Sequence, residues 1–288
     1  MRPDATGRPT LACLTIGSSD PSGGAGIQAD VKAFSALGTY ATTVLVGLTA
    51  QNTTGVSRVH DVPLPMVAAQ LDAVLTDVAV GAVKIGTTWS PDVVELVADR
   101  LSGLAVPIVA VPIVVDPVLV TASGSALGGG QEAVTAVRRC FLPLATVITP
   151  NLGEAQRLAG TPGEDDPARI AERLVDLGAR AVLITDARPD TGGDWLFDGE
   201  RHHPVPGRRH DTHCEHGAGC THSSVLAVLL ARGLDLPTAA QLAHRVAARA
   251  VETGHRDVGS GRHPVDVFAA VRDAAVSKQL AEHLEGVR

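Results

Sequence analysis

Aromatic side chains are nearly missing from this sequence: two Trp, one Tyr and four Phe make up 2% of its 288 residues. That scarcity removes the stacking platforms on which single-strand nucleic-acid binders depend. Positive charge is short as well, with 24 Lys and Arg against 31 Asp and Glu and a formal net charge of −7. Such a surface does not suit a phosphate backbone, so nucleic acid is not an expected partner. The longest apolar stretch, 105–115, is too short for a membrane span and is broken by Pro107 and Pro112. The sequence starts without the basic segment and apolar run of an export signal. Four cysteines (Cys13, Cys140, Cys214 and Cys220) do not make a disulfide framework in a chain of this length. The expected setting is a reducing cytoplasm with free thiols.

What is present is an alternation. The chain is 45% hydrophobic, enough to bury a sizeable core. Short β-branched runs at 11–16, 42–48, 82–85, 108–115, 146–149 and 181–185 read as strands. Between them, helical spacing covers 26–37, 65–78, 91–101, 131–141, 151–159 and 168–177. Residues 195–197 and 202–205 read as a hairpin or edge pair. Three helices follow, over 217–231, 237–252 and 265–283. Strands separated by helices imply parallel βαβ units, buried on both faces. The expected fold is a three-layer α/β domain over 11–288, with loops at 103–107 and 161–167 and a flexible start at 1–10. Ligands of such sheets sit at the carboxyl ends of the strands.

Candidate motifs fall at those ends. After the first strand comes Ser18-Ser19-Asp20-Pro21-Ser22-Gly23-Gly24-Ala25-Gly26, a turn whose glycines let backbone amides approach a ligand. Gly24 to Ala29 formally matches a dinucleotide fingerprint, but Gln51-Asn52 after the second strand offers no acid for a ribose. A plain turn capped by Asp20 or Ser22 is the simpler alternative. A second turn, His216-Gly217-Ala218-Gly219-Cys220, opens a helix. The amides of Gly217, Ala218, Gly219 and Cys220 are expected to form an anion cradle. A cysteine there should have a lowered pKa, be partly thiolate and accept a proton from a substrate hydroxyl. His210, His213, Cys214, His216, Cys220 and His222 raise metal ligation, although their spacing fits no common zinc pattern. Asp116 ends the long apolar strand. Asn151 and Glu154 share a helix face and offer hard oxygen donors for Mg²⁺, or else form a capping box.

Several longer runs carry a resemblance. Asp20 to Asp30, Phe34 to Gly38, Leu48 to Thr53, Ala68 to Val74, Val83 to Gly86, Asp116 to Val118, Thr149 to Leu152 and Gly217 to Ser224 together resemble the hydroxymethylpyrimidine and phosphomethylpyrimidine kinases of thiamine biosynthesis. The similarity spans roughly residues 11–255. It implies a ribokinase-like fold with a mainly parallel central sheet flanked by helices. It also implies ATP and Mg²⁺ as cofactors, a hydroxymethylpyrimidine or its monophosphate as acceptor, and a homodimer. By this resemblance Asp30 and Gln51 bind the pyrimidine, the loop at Ser18 closes over it and Thr87 walls its pocket. Cys220 stands where sugar kinases of the fold carry an aspartate base. Asn151, Glu154 and Thr185 organise the nucleotide, and Asp116 and Glu154 hold the metal. The amides of Gly217, Ala218 and Gly219 steady the transferring phosphoryl group.

Departures from the family pattern gather at the same places. Gly17-Ser18 replaces Ala-Gly, Thr87 replaces a methionine with the loss of one apolar wall of the ring pocket, and Ala218 is a mild change. Thr185-Asp186-Ala187-Arg188 replaces Lys-Gly-Gly-His, and Glu215 a threonine. The lost lysine and added acids are expected to weaken phosphate binding by repulsion. Two alternatives therefore accompany the kinase reading: a pyridoxal-type kinase, or a paralogue that binds a pyrimidine with little or no turnover.

Overall fold

The computed structural model describes residues 10–103, 111–118, 130–188 and 190–285. The expected flexible start (apart from Thr10), positions 108–110 of the strand expected at 108–115 and all but Gly103 of the loop at 103–107 lie outside these residues.

Nine strands form one sheet in the order β3-β2-β1-β4-β5-β6-β7-β8-β9. They are β1 (Ala12–Ser19), β2 (Tyr40–Asn52), β3 (Gly55–Asp61), β4 (Val80–Ile85), β5 (Ile113–Val115), β6 (Val147–Ile148), β7 (Val182–Arg188), β8 (Gly193–Phe197) and β9 (His202–Val205). The pairs from β2 through β1 to β7 are parallel, while β3, β8 and β9 join antiparallel at the two edges. The expected mainly parallel sheet is therefore present. β3 was not anticipated: most of its side chains are exposed, so no apolar alternation marks it.

The pleat sorts residues to two cores. Leu14, Ile16, Val83, Ile85, Ile113 and Val115 face one apolar cluster. That face is covered by α2 (Leu64–Asp77), α3 (Pro91–Ser102), α6 (Leu152–Ala159) and α7 (Pro167–Asp176). Cys13, Ala82, Val114, Ala181 and Leu183 face the other. There lie α1 (Gly26–Ala36), α8 (Ala218–Ala231) and α9 (Leu236–Glu252). The β-branched runs without polar alternation follow from burial on both sides.

Two helix readings need correction. The helix expected over 131–141 is α4 (Gly130–Ala136) followed by a π turn, Val137–Phe141, and the short α5 (Leu142–Leu144). The single helix expected over 265–283 is two, α10 (Val267–Arg272) and α11 (Ala274–Glu285). Asp273 divides them: its extended backbone ends the first, and its carboxylate accepts the amides of Ala275 and Val276 at 3.0 and 3.3 Å. Its sequence spacing continues the helical period, so only the cap chemistry signals the break.

Candidate active site

One cavity of about 720 Å³ opens at the carboxyl ends of the central strands. Ser18 at the end of β1, Thr87 after β4, Asp116 after β5, Asn151 after β6 and Thr185 on β7 all reach it. Gln51, Glu154 and the whole turn from His216 to Cys220 complete its lining. The site thus lies where an open α/β sheet places it. Ser18 belongs to β1 and is buried, so it is a strand-end wall and not the closing loop expected. The β1–β2 register shifts between Gly17 and Ser18, at the unusual dipeptide.

The two glycine turns dock against each other. Asp20 ties them: its carboxylate accepts the Ser22 amide and hydroxyl at 2.9 and 2.7 Å, the Ala25 amide at 2.9 Å and His216 Nε2 at 2.8 Å. Burial works against this ionised carboxylate, yet His216, Ser22 and the backbone amides hold it below the ordinary range. Asp20 therefore organises the turn without capping α1, whose N-cap is Ala25. A Cβ on Gly217 (φ 86°) would stand 1.8 Å from the Gly24 carbonyl oxygen, so close approach demands glycine there.

The cradle is smaller than expected. Ala218 donates its N–H to the Glu215 carbonyl at 3.0 Å, completing the tight turn around Gly217. Thr221 donates back to Gly217 at 2.9 Å. Gly219 and Cys220 are left as the first-turn donors that a helix start cannot pair internally. Ala218 lines the cavity but does not offer its amide to an anion.

Beneath the cradle lies a buried ion network. Lys84 Nζ donates to both oxygens of Asp30, at 2.9 and 3.0 Å, and sits 3.9 Å from Asp116 Oδ2. Asp30 also accepts the hydroxyls of Thr15 (2.6 Å) and Ser224 (2.8 Å). It is 1% exposed and does not line the cavity. The expectation that Asp30 binds substrate is therefore overturned: its acceptor capacity is spent on Lys84 and two hydroxyls. The missed residue is Lys84, lost in an apolar strand motif. Burial alone would lower its ammonium, but Asp30 and its neighbours raise it above the lysine norm.

Cys220 keeps part of its surface open to the cavity while the bulk around it is dense. Burial pushes its thiol up to about 12, against Lys84, with Asp30 and Asp116 adding to the rise. The expected resting thiolate is thus corrected: the helix start does not outweigh burial beside two carboxylates. Burial likewise raises Asp116, whose Oδ2 accepts the Ser223 hydroxyl at 3.1 Å.

At the nucleotide end expected from the sequence, Asn151 and Glu154 form a full capping box. Glu154 N–H donates to Asn151 Oδ1 at 2.9 Å and Asn151 N–H to Glu154 Oε2 at 3.0 Å. Both residues still stand on the cavity wall. With Asp116 they bring hard oxygen donors to one side of it, a set that fits Mg²⁺. Burial raises the carboxyl of Asp186, but the acidic stretch is not unopposed. Arg157, Arg208, Arg209 and Arg262 also line the cavity and supply the cations that the sequence reading found lacking. No helix among the described residues is long and apolar enough to cross a membrane.

The family described as Phosphomethylpyrimidine kinase matches residues 20–266. A hydroxymethylpyrimidine/phosphomethylpyrimidine kinase of Rhizobium meliloti is 42% identical over 265 residues, covering 90% of this chain and 97% of that protein. The thiamine biosynthesis bifunctional protein ThiED of Geobacter sulfurreducens is 40% identical, covering 92% of this chain and 54% of that longer one. Among solved structures, the ADP complex of Bacillus subtilis pyridoxal kinase superposes with a TM-score of 0.81 at 31% identity, covering 92% of this chain and 99% of that one.

Proposed function

This chain belongs to the phosphomethylpyrimidine kinase family, and we propose that it transfers the terminal phosphoryl group of ATP to 4-amino-5-hydroxymethyl-2-methylpyrimidine and to its monophosphate, in thiamine biosynthesis. The observation that carries this reading is convergence. Ser18, Gln51 and Thr87 share one cavity with Asp116, Cys220 and the free amides of α8. The pyridoxal-type alternative has the weaker likeness in sequence, 31% against 42% identity.

The acceptor heterocycle lies against Ser18, Gln51 and Thr87, with its hydroxymethyl group toward Cys220. The amides of Gly219 and Cys220 take up charge on the transferring phosphoryl group. The arginines at the far wall hold the rest of the phosphate chain. Asp116 and Glu154 would hold Mg²⁺, which when bound neutralises phosphate charge. Because phosphoryl transfer is loose, the acceptor proton leaves late and no resting thiolate is needed. The attacking oxygen bonds to phosphorus as the bond to the ADP oxygen breaks. Its proton passes to the Cys220 sulfur while the thiol proton passes to an oxygen of the transferred phosphoryl group, so the cysteine ends the step as a thiol. The protein acts in the cytoplasm as a homodimer. Exposed Leu48, Val59, Leu64 and Met66 beside the β2–β3 ribbon supply the apolar surface that pairing requires.

ADP release with ATP and Mg²⁺, compared across hydroxymethylpyrimidine, its monophosphate and pyridoxal, tests this function. The pyrimidines should be the better acceptors. Faster turnover of pyridoxal, or tight pyrimidine binding with no ADP release, would overturn it.

A further inference from the structure

We propose that Asp194 on β8, His222 on α8 and His244 on α9 form a binding site for one divalent transition-metal ion of the zinc class. It stands on the wall of the same cavity and uses none of the side chains assigned above to phosphoryl transfer. It is the one such cluster of three or more ligating side chains among the described residues, with donor atoms all within 4.8 Å of one another. All three residues are buried and line the cavity wall.

The cluster is built but incomplete. His244 Nδ1 lies 2.8 Å from Asp194 Oδ2, and His222 Nε2 lies 3.3 Å from the same oxygen. The second contact is not aligned as a hydrogen bond, so neither nitrogen of His222 has a hydrogen-bond partner, although Nε2 lies against the Asp194 carboxylate. So is Nε2 of His244. An imidazole taken out of water with neither nitrogen satisfied is costly. A metal ion removes that cost, since a neutral imidazole presents a lone pair directly to it.

The donor chemistry selects the ion. Two imidazole nitrogens and one carboxylate oxygen, with a further position open, suit Zn²⁺ and its first-row neighbours; Mg²⁺ and Ca²⁺ prefer oxygen alone. The other carboxylate oxygen, Oδ1, accepts the Asp186 amide at 3.0 Å, which fixes the orientation of the ligand. Asp186 provides that amide from a left-handed conformation (φ 48°), rare for a residue with a side chain. The open position faces the cavity and takes water or an oxygen of a bound ligand. Sequence spacing hid the site, because the ligands sit on three separate elements and only His222 belongs to the histidine-rich stretch.

The test uses the full chain, stripped with a chelator and dialysed. Zn²⁺ is titrated by calorimetry and Co²⁺ by visible absorption. About one equivalent should bind per chain, with the intense visible bands of a low-coordinate cobalt site. His222→Phe and His244→Leu should each weaken binding by about 100-fold or more, because loss of a ligand exceeds loss of a supporting contact. X-ray absorption of the zinc-loaded parent protein should show two imidazoles and oxygen, whether or not the variants fold. Absence of binding by the folded parent would overturn the site. So would full affinity in folded variants, which would assign the ion to surface histidines such as His210 or His213.

Discussion

Two buried polar clusters flank the same cavity and differ in how completely they are satisfied. Around Lys84, Asp30 is held by an ammonium and two hydroxyls, and Asp116 by Ser223 with Lys84 close by. Around Asp194, three imidazole nitrogens have no hydrogen-bond partner. A closed network is scaffold: removing a member exposes the others. An open one is a receptor, and its vacant valences specify what it takes. Both kinds of burial look alike in a sequence, and only the partner count separates them.

The strongest way to break this contrast is Lys84→Met. It leaves Asp30 and Asp116 buried together with no cation, and should cost about 3–5 kcal/mol in urea unfolding. Adding Asp30→Asn should recover part of that loss; unchanged stability of the single variant would show that the network is not closed. Next in size is the clasp between the glycine turns. Asp20→Asn should cost about 1–3 kcal/mol at neutral pH. The folded carboxyl of Asp20 is lowered, so its contribution is present above the ordinary carboxylate value and is lost as pH falls through the folded value. Stability measured from pH 7 to pH 2 should therefore decline less steeply in Asp20→Asn than in the parent. The smallest effect belongs to the open cluster. In metal-stripped protein, His222→Phe discards two nitrogens that make no hydrogen bond and should change stability by no more than about 1 kcal/mol. A loss as large as that of Lys84→Met would equate the two clusters.

Legibility in the sequence followed the same division. The parallel strands and most helices were readable because burial on two faces leaves uninterrupted apolar runs, as at Ile113–Val115. The cavity was readable because glycine turns and strand-end acids fall at fixed places in such folds. Ser18, Gln51, Thr87, Asn151, Glu154 and Thr185 do line it. What failed depended on tertiary neighbours. Asp30 looks like a ligand until Lys84, 54 positions away, occupies it. Cys220 looks activated until burial beside carboxylates is counted. The Ala218 amide looks free until the Glu215 carbonyl takes it. The cavity looks acidic around Asp186 until four arginines from distant segments are brought to its lining.

The proposed function rests on phosphoryl transfer at the start of α8, with Cys220 handling the acceptor proton. Single-turnover transfer from labelled ATP to hydroxymethylpyrimidine, in the parent and in Cys220→Ala with matched thermal stability, tests it most directly. The account predicts a fall of about 100-fold or more in the transfer rate, with ATP binding retained. Full transfer by the alanine variant would contradict it.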